Sequence, residues 1–174
     1  MNTTRRHFLR ISAAAGFACS AIPLFGADTP ERKYRTALIG CGWWGNNILG
    51  EAMASGQCKI VGLCDVDRRF LRSTAERVLQ EAGDTAKGYS DYRELLEREK
   101  PEICIVATPD HWHALQTIDA VQAGAHVYVE KPICHTILEG RAMVQAARNT
   151  GKTVQVGTHR RVSPHNVSAR AFIR

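Results

Sequence analysis

Apolar and polar positions follow two rhythms from residue 34 onward. Short, uninterrupted apolar runs predict buried strands, and the segments between them repeat apolar residues at helical spacing. The predicted strands occupy residues 34–39, 59–64, 103–107, 126–129 and 153–156. The predicted helices occupy about 46–55, 67–82, 91–99, 112–123 and 136–149. Repeated strand–helix units predict an α/β fold, a Rossmann-like doubly wound parallel sheet with helices on both faces.

The first 27 residues follow a different pattern. They carry three arginines and no acidic residue, and a mostly apolar run covers residues 11–25. A basic start followed by such a run is typical of a secretory signal. Arg5 and Arg6, with Phe8 and Leu9 close behind, resemble the twin-arginine export signal of bacteria. We therefore expect residues 1–27 to be a signal segment that delivers the protein to the periplasm through the export machinery, or that stays as a membrane anchor.

The composition is that of an ordinary globular domain. The 174 residues are 44% hydrophobic and 23% charged, which excludes a disordered tail, a collagen-like rod and a coiled coil. The formal net charge is +6, but much of the excess lies in the signal segment and the other charges are interspersed, so no nucleic-acid partner is predicted. Five cysteines follow that segment without a CxxC pair, so neither a disulfide framework nor a zinc site is predicted.

A glycine-rich turn follows the first predicted strand. Gly40, Gly42 and Gly45 fit the pattern G-x-G-x-x-G, and Asp65 ends the next strand 20 residues after the last glycine. In a dinucleotide-binding turn the first glycine permits the tight bend, the second lets the backbone approach a pyrophosphate, and the third lets helix and strand pack closely. Asp65 would accept hydrogen bonds from the adenosine ribose hydroxyls. The alternative is a glycine-rich turn that binds no ligand.

Neighbouring residues refine the cofactor prediction. A carboxylate at Asp65 repels a 2′-phosphate and therefore favours NAD over NADP. Arg68 and Arg69 follow closely and are expected to offset part of that repulsion. Trp43 and Trp44 lie inside the turn, and we expect one face of these indoles to line the cofactor cleft.

Three segments rich in reactive side chains follow later strands, at residues 107–113, 130–132 and 157–161. Ligands of an open parallel sheet bind beyond the carboxyl ends of its strands, so these segments are expected to converge at one edge. Asp110 is expected to cap the helix that follows. His111 and His113 form a His-x-His pair, but no third ligand has a suitable spacing, so no metal site is predicted.

These motifs together resemble the Gfo/Idh/MocA family of sugar and polyol oxidoreductases. The matching residues are 40–45, 64–67, 107–109 with His113, 130–132, and 155–157 with Arg160. The resemblance covers almost all of a predicted dinucleotide-binding domain at 34–161, which the polar linker 28–33 precedes. It implies a second α+β substrate domain that is absent from this chain, and residues 162–174 are expected to be its truncated start.

The resemblance also implies roles by position. It puts the glycine turn on the pyrophosphate and Asp65 on the ribose, and it counts Arg160 among the cofactor-binding residues. Thr108, Pro109 and His113 would line the nicotinamide ribose, with Glu130 and Lys131 beside the nicotinamide and the substrate. Lys131 is the predicted catalytic residue, because a cation near the reacting carbinol lowers its pKa or relays its proton as hydride leaves. The alternative for Lys131 is a surface ion pair with Glu130.

The leading hypothesis is the nucleotide-binding domain of an exported NAD(P)-dependent oxidoreductase that transfers hydride between a sugar or polyol hydroxyl and nicotinamide. This chain alone is then expected to bind NAD without turning over sugar, and the full-length protein to form a homo-oligomer. One alternative is an NAD-dependent glycosidase of the same family. The other is a non-catalytic dinucleotide-binding fragment.

Overall fold

The structure, a computed structural model, describes residues 32–173. The predicted signal segment and most of the predicted linker lie outside the described residues. The strands are β1 (Tyr34–Ile39), β2 (Cys58–Cys64), β3 (Lys87–Tyr89), β4 (Ile103–Val106), β5 (His126–Glu130) and β6 (Val154–Gly157). The helices are α1 (Trp43–Ala54), α2 (Arg68–Ala82), α3 (Tyr92–Glu99), α4 (His113–Gln122), α5 (Ile137–Thr150) and α6 (Pro164–Ile173). Two 3₁₀ turns, at Asp110–Trp112 and His159–Arg161, precede α4 and α6.

The six strands form one sheet in the order β3-β2-β1-β4-β5-β6. Every neighbouring pair is parallel, which confirms the predicted Rossmann-like doubly wound sheet. The strand order reverses between β1 and β4, and in such sheets the crevice at the carboxyl ends of these strands is the ligand-binding position. Strand β3 was not predicted, because its sequence Lys-Gly-Tyr is too short and too polar to give an apolar run.

Most helix boundaries agree with signals in the sequence. The side chain of Asp67 caps α2, Thr136 and Glu139 form a capping box on α5, and α2 ends at Gly83 with a φ of 72°. The predicted cap at Asp110 is wrong. Helix α4 has no side-chain cap, because Asp110 lies in the preceding 3₁₀ turn, where its carboxylate contacts His135 Nε2 at 2.9 Å.

Both faces of the sheet carry buried apolar residues. Leu38, Leu49 and Leu63 belong to the core between the sheet and helices α1 and α2, and Val106 and Val129 belong to the core beneath the helices of the other face. Strands buried on both faces have continuous apolar sequences, which explains why they were recognisable as runs rather than as alternating patterns. Among residues 32–173, no helix has the length and apolar character needed to cross a membrane.

Candidate cofactor and active site

The three glycines of the turn differ in the space around the position that a Cβ atom would occupy. Gly40 has a φ of 96°, and a Cβ there would lie 2.6 Å from the carbonyl oxygen of Ala107. A Cβ on Gly45 would collide with the carbonyl oxygen of Gly40. Gly42 has ordinary backbone angles, and a Cβ there would meet no atom within 4 Å. Gly40 and Gly45 are therefore needed by the fold, whereas Gly42 keeps open the space at the amino end of α1, where backbone N–H groups favour phosphate.

A groove of about 550 Å³ runs along the carboxyl ends of β1, β2 and β4. It brings together five of the residues predicted to bind the cofactor, namely Gly40, Gly42, Asp65, Thr108 and Pro109. The bare Gly42 backbone and the neighbouring carboxylate fit the phosphate and ribose of a dinucleotide. These residues, drawn from three separate strand ends, therefore form one continuous surface.

Asp65 is held rigidly in this groove by backbone groups. Its Oδ2 accepts a hydrogen bond from Cys41 N at 2.8 Å, and its Oδ1 accepts one from Asp67 N at 2.8 Å. A carboxylate oxygen accepts more than one hydrogen bond. The half-buried Asp65 therefore retains acceptor capacity for a ribose hydroxyl, while its two backbone bonds fix its orientation and tie the glycine turn to the end of β2.

One of the two arginines after β2 is engaged by a carboxylate. Arg69 is paired with Asp67, with Nη2 and Oδ2 2.7 Å apart. The side-chain hydrogen bond from Arg69 lowers the pKa of Asp67 to about 2. Three aspartates, Asp65, Asp67 and Asp91, line the groove against one arginine, Arg93. With Arg69 engaged by a carboxylate, this end of the groove opposes a 2′-phosphate, as expected of an NAD site.

The two tryptophans do not line this groove. Trp43 is 77% exposed. Trp44 instead lines a second groove of about 830 Å³, together with Ile105, Tyr128 and His159, and its ring centroid is 5.1 Å from that of His159. Its Nε1 is buried and has no hydrogen-bond partner within residues 32–173. The turn directs Trp44 to the side of β5 and β6 rather than beside Asp65, and contact of either indole with the cofactor stays a prediction.

His113 is also placed differently from the prediction. It is 2% exposed, and its Nδ1 and Nε2 lie 2.8 Å from the carbonyl oxygens of Pro132 and Thr108. Both ring nitrogens are therefore used within the protein. The expectation that His113 lines the nicotinamide ribose is corrected, because α4 begins at this residue and carries its ring between the loops that follow β4 and β5.

Glu130 and Lys131 occupy the carboxyl end of β5 and differ in environment. Glu130 is 4% exposed, whereas Lys131 is exposed. The Glu130 carboxylate accepts hydrogen bonds from the Tyr128 hydroxyl and from Lys131 N, each at 3.2 Å. Burial, with the Glu130 charge, raises the pKa of Tyr128 to about 12. Within residues 32–173 no ion pair joins the Lys131 ammonium to this carboxylate, so the surface-pair alternative has no support there.

Two residues of this region, Tyr128 and Gly157, have a role in the structure that was not predicted from the sequence. A Cβ on Gly157 would collide with Glu130 Oε1 and would lie 2.7 Å from the Tyr128 hydroxyl oxygen. Gly157 therefore makes room for the buried carboxylate, and Tyr128 supplies its hydrogen bond. A glycine at the carboxyl end of a strand marks a close approach of other groups, and that signal was available. Arg160 lies exposed in the turn after β6, where its backbone carbonyl accepts bonds from Ser163 and Asn166.

The other histidines near this edge form a small polar cluster. Asp110 Oδ1 contacts His135 Nε2 at 2.9 Å and lies 3.9 Å from His111 Nδ1. The hydrogen bond from His135 lowers the pKa of Asp110. Among residues 32–173 no group of three or more His, Cys, Asp or Glu side chains is arranged to hold a metal ion.

The proteins to which this chain is similar are longer than the chain itself. A glycosyl hydrolase family 109 protein of Shewanella pealeana is 28% identical over 87% of this chain and 38% of its own length. Another, from Akkermansia muciniphila, is 31% identical over 76% of this chain and 28% of its own length. The crystal structure of the WlbA dehydrogenase from Chromobacterium violaceum, in complex with NADH and UDP-GlcNAcA, superposes with a TM-score of 0.72 and 30% identity, covering 82% of this chain and 40% of that one.

The chain thus spans well under half the length of the relatives it matches. The match to a family profile covers most of the described domain. Residues 34–158 match the NAD-binding Rossmann fold of the oxidoreductase family Gfo/Idh/MocA. This range contains the glycine turn, Asp65, His113 and Lys131. The chain belongs to the Gfo/Idh/MocA oxidoreductase family and carries its NAD-binding Rossmann domain.

Proposed function

We propose that this domain serves an oxidoreductase that transfers hydride between a sugar or polyol hydroxyl and nicotinamide, with Lys131 as the catalytic residue. The observation that carries the proposal is the contrast at the end of β5. There Glu130 is buried and held by hydrogen bonds, whereas the adjacent Lys131 ammonium is exposed at the cofactor edge of the sheet. A cation held by a rigid backbone at that edge suits proton transfer to or from a substrate hydroxyl.

NAD, when bound, supplies the nicotinamide carbon that accepts the hydride. Gly42 would leave room for the pyrophosphate at the amino end of α1, and Asp65 would accept hydrogen bonds from the ribose hydroxyls. During oxidation of a carbinol the C–H bond breaks and its electron pair leaves with the hydride. The hydroxyl proton leaves to solvent, and the exposed Lys131 ammonium beside the carbinol would stabilise the negative charge left on the oxygen. In the reverse direction the ammonium would donate a proton to the forming hydroxyl and regain one from solvent.

A second candidate is an NAD-dependent glycosidase. The names of the Shewanella and Akkermansia relatives favour it. Such an enzyme oxidises the sugar transiently, eliminates the aglycone and then reduces the product, so the cofactor returns to its starting state. The same residues, Asp65 and Lys131, would bind the cofactor and move the proton.

The test uses the protein as its host produces it. We expect Lys131→Ala to lower turnover of sugars or polyols ~100-fold or more while NAD affinity stays within ~3-fold. Lys59→Ala is the matched control, since Lys59 is exposed at the start of β2. Retained turnover in Lys131→Ala would overturn the catalytic role. Release of aglycone without net NADH would identify the glycosidase, and net NADH formation the dehydrogenase.

We also propose that residues 1–27 direct export through the twin-arginine route. Replacement of Arg5 and Arg6 by lysine keeps the charge and removes the arginine pair. We expect this variant to stay in the cytoplasm, whereas the unmodified protein is recovered from the periplasm. Equal recovery of both proteins from the periplasm would contradict the proposal, and the intact mass of the exported protein would show whether the segment is cleaved.

A further inference from the structure

The buried His113 makes two contacts that one neutral imidazole cannot satisfy. Its Nδ1 lies 2.8 Å from Pro132 O, and its Nε2 lies 2.8 Å from Thr108 O. Carbonyl oxygens only accept hydrogen bonds, and a neutral imidazole has a single N–H. A neutral ring would therefore set a nitrogen lone pair against a carbonyl oxygen in a site where water has little access, since His113 is 2% exposed. Only the imidazolium form donates to both oxygens.

The two carbonyls belong to the loops that carry the chemistry of this edge. Thr108 follows β4, and Pro132 follows β5 immediately after Lys131. The backbone N–H of Lys131 donates to the Glu130 carboxylate at 3.2 Å. The two-residue segment Lys131–Pro132 is thus held at its first N–H by a buried carboxylate and at its last carbonyl by the His113 ring.

We propose that His113 is a positioning residue, a doubly protonated imidazolium that ties the carbonyl oxygens of Thr108 and Pro132 together and so fixes the backbone of Lys131. The ring makes no contact with the substrate in this role and acts only through that backbone. Its effect on turnover rests on the function proposed above for Lys131, whereas the protonation state and the tie between the loops do not.

The protonation state is read directly from the unmodified chain. Long-range ¹H–¹⁵N correlation spectra of the ring nitrogens at neutral pH are expected to show both nitrogens of His113 protonated. His126, which is exposed at the start of β5, serves as the reference histidine, because its Nδ1 accepts a hydrogen bond from Thr153 N at 3.1 Å. Variants of the exposed histidines assign the signal by exclusion, so the test does not require a His113 variant to fold. One protonated and one bare nitrogen on His113 would overturn the proposal.

Hydrogen exchange of backbone amides tests whether His113 links the two loops. In His113→Gln we expect the Lys131 amide to exchange with solvent at least ~10-fold faster, while amides of β1 are unchanged. His126→Gln is the matched control and is expected to leave the Lys131 amide unchanged. Exchange at Lys131 that is the same in His113→Gln and in the unmodified chain would contradict the positioning role.

Turnover of the protein as its host makes it gives the third measurement. His113→Gln is expected to lower kcat ~10-fold or more, since the Lys131 backbone is no longer held. NAD affinity should change less than kcat, because Thr108 is the one residue lining the groove that the ring hydrogen-bonds. An unchanged kcat in the folded variant would overturn the positioning role. If Lys131→Ala retains turnover, the proposed function fails instead, and the spectra and amide exchange still decide the state of His113.

Discussion

The two ends of the cofactor edge use polar residues in opposite ways. At the ends of β1 and β2, Gly42 and Asp65 line an open groove and keep space and acceptor capacity for a ligand. At the ends of β4 and β5, His113 and Glu130 are buried and bonded to the protein itself. Lys131, which follows Glu130 directly, is exposed. The groove, which Thr108 and Pro109 after β4 also line, is therefore a ligand-binding surface, whereas the part of the edge around Glu130 and His113 is a scaffold that presents one cation.

The largest effects should come from the glycine turn. Gly45→Val is expected to cost about 3 kcal/mol or more in unfolding free energy, because its Cβ would collide with the Gly40 carbonyl oxygen. Gly42→Val should leave the fold intact and weaken NAD binding at least ~100-fold, or about 2.7 kcal/mol, because it fills only the open space. Chemical denaturation and calorimetric titration with NAD separate the two results. Normal NAD affinity in Gly42→Val would contradict the phosphate-binding role.

A second comparison uses two aspartates that both accept backbone N–H bonds. Asp65 accepts from Cys41 N, and Asp84 accepts from Ile60 N, each at 2.8 Å. Alanine at either position should cost about 1–3 kcal/mol of stability. Only Asp65→Ala should also weaken NAD binding, by ~10–100-fold, because Asp84 does not line the groove. Equal NAD affinities in the two variants would exclude Asp65 from the ribose site.

The third prediction concerns the scaffold end. Gly157→Ala should cost about 1–3 kcal/mol of stability, because the new methyl group displaces Glu130 Oε1. Adding Glu130→Ala to the same chain removes the carboxylate that the new methyl group meets, and it should recover part of the lost stability. A double-mutant cycle of unfolding free energies measures the coupling between the two positions. Simple additivity would mean that Gly157 is not needed to accommodate the carboxylate.

A smaller effect is expected in cofactor choice. Asp67→Ala frees Arg69 from its carboxylate partner and removes one negative charge from the groove. We expect the affinity for NADP relative to NAD to rise ~2–5-fold. Asp67→Ala combined with Arg69→Gln is the control, since it removes the released cation. The same ratio in both variants would show that Arg69 plays no part.

The smallest effect is a pH dependence at low pH. The pKa of Asp67 is lowered from an ordinary 3.8 to about 2, chiefly by the hydrogen bond from Arg69. Because the folded-state pKa is lowered, the resulting stability is present above the unfolded-state pKa and is lost as pH falls toward the folded value. The stability difference between the unmodified chain and Asp67→Asn should therefore be present at pH 6 and shrink on acidification toward pH 2. A difference that is constant with pH would contradict the ion pair.

The sequence alone was enough to predict the parallel sheet and to single out two residues that share the groove. Apolar runs marked five of the six strands, and the parallel sheet was confirmed. The missing strand, β3, pairs with β2 and contributes a single buried side chain, Tyr89, which is too little to give an apolar run. Gly42 and Asp65 were recognisable because a motif specifies both residue type and spacing, and the structure brings them into one groove.

What the tertiary structure decided is which partner each polar side chain meets. Nothing local to His113 indicates that its ring lies between two carbonyls, since one of them follows a different strand. Likewise, Trp44 turns toward His159, and Gly157 makes room for Glu130. Spacing along the chain determines the element and the sheet edge to which a residue belongs. The partners of its side chain depend on which loops the packed helices bring together, and that is a property of the whole fold.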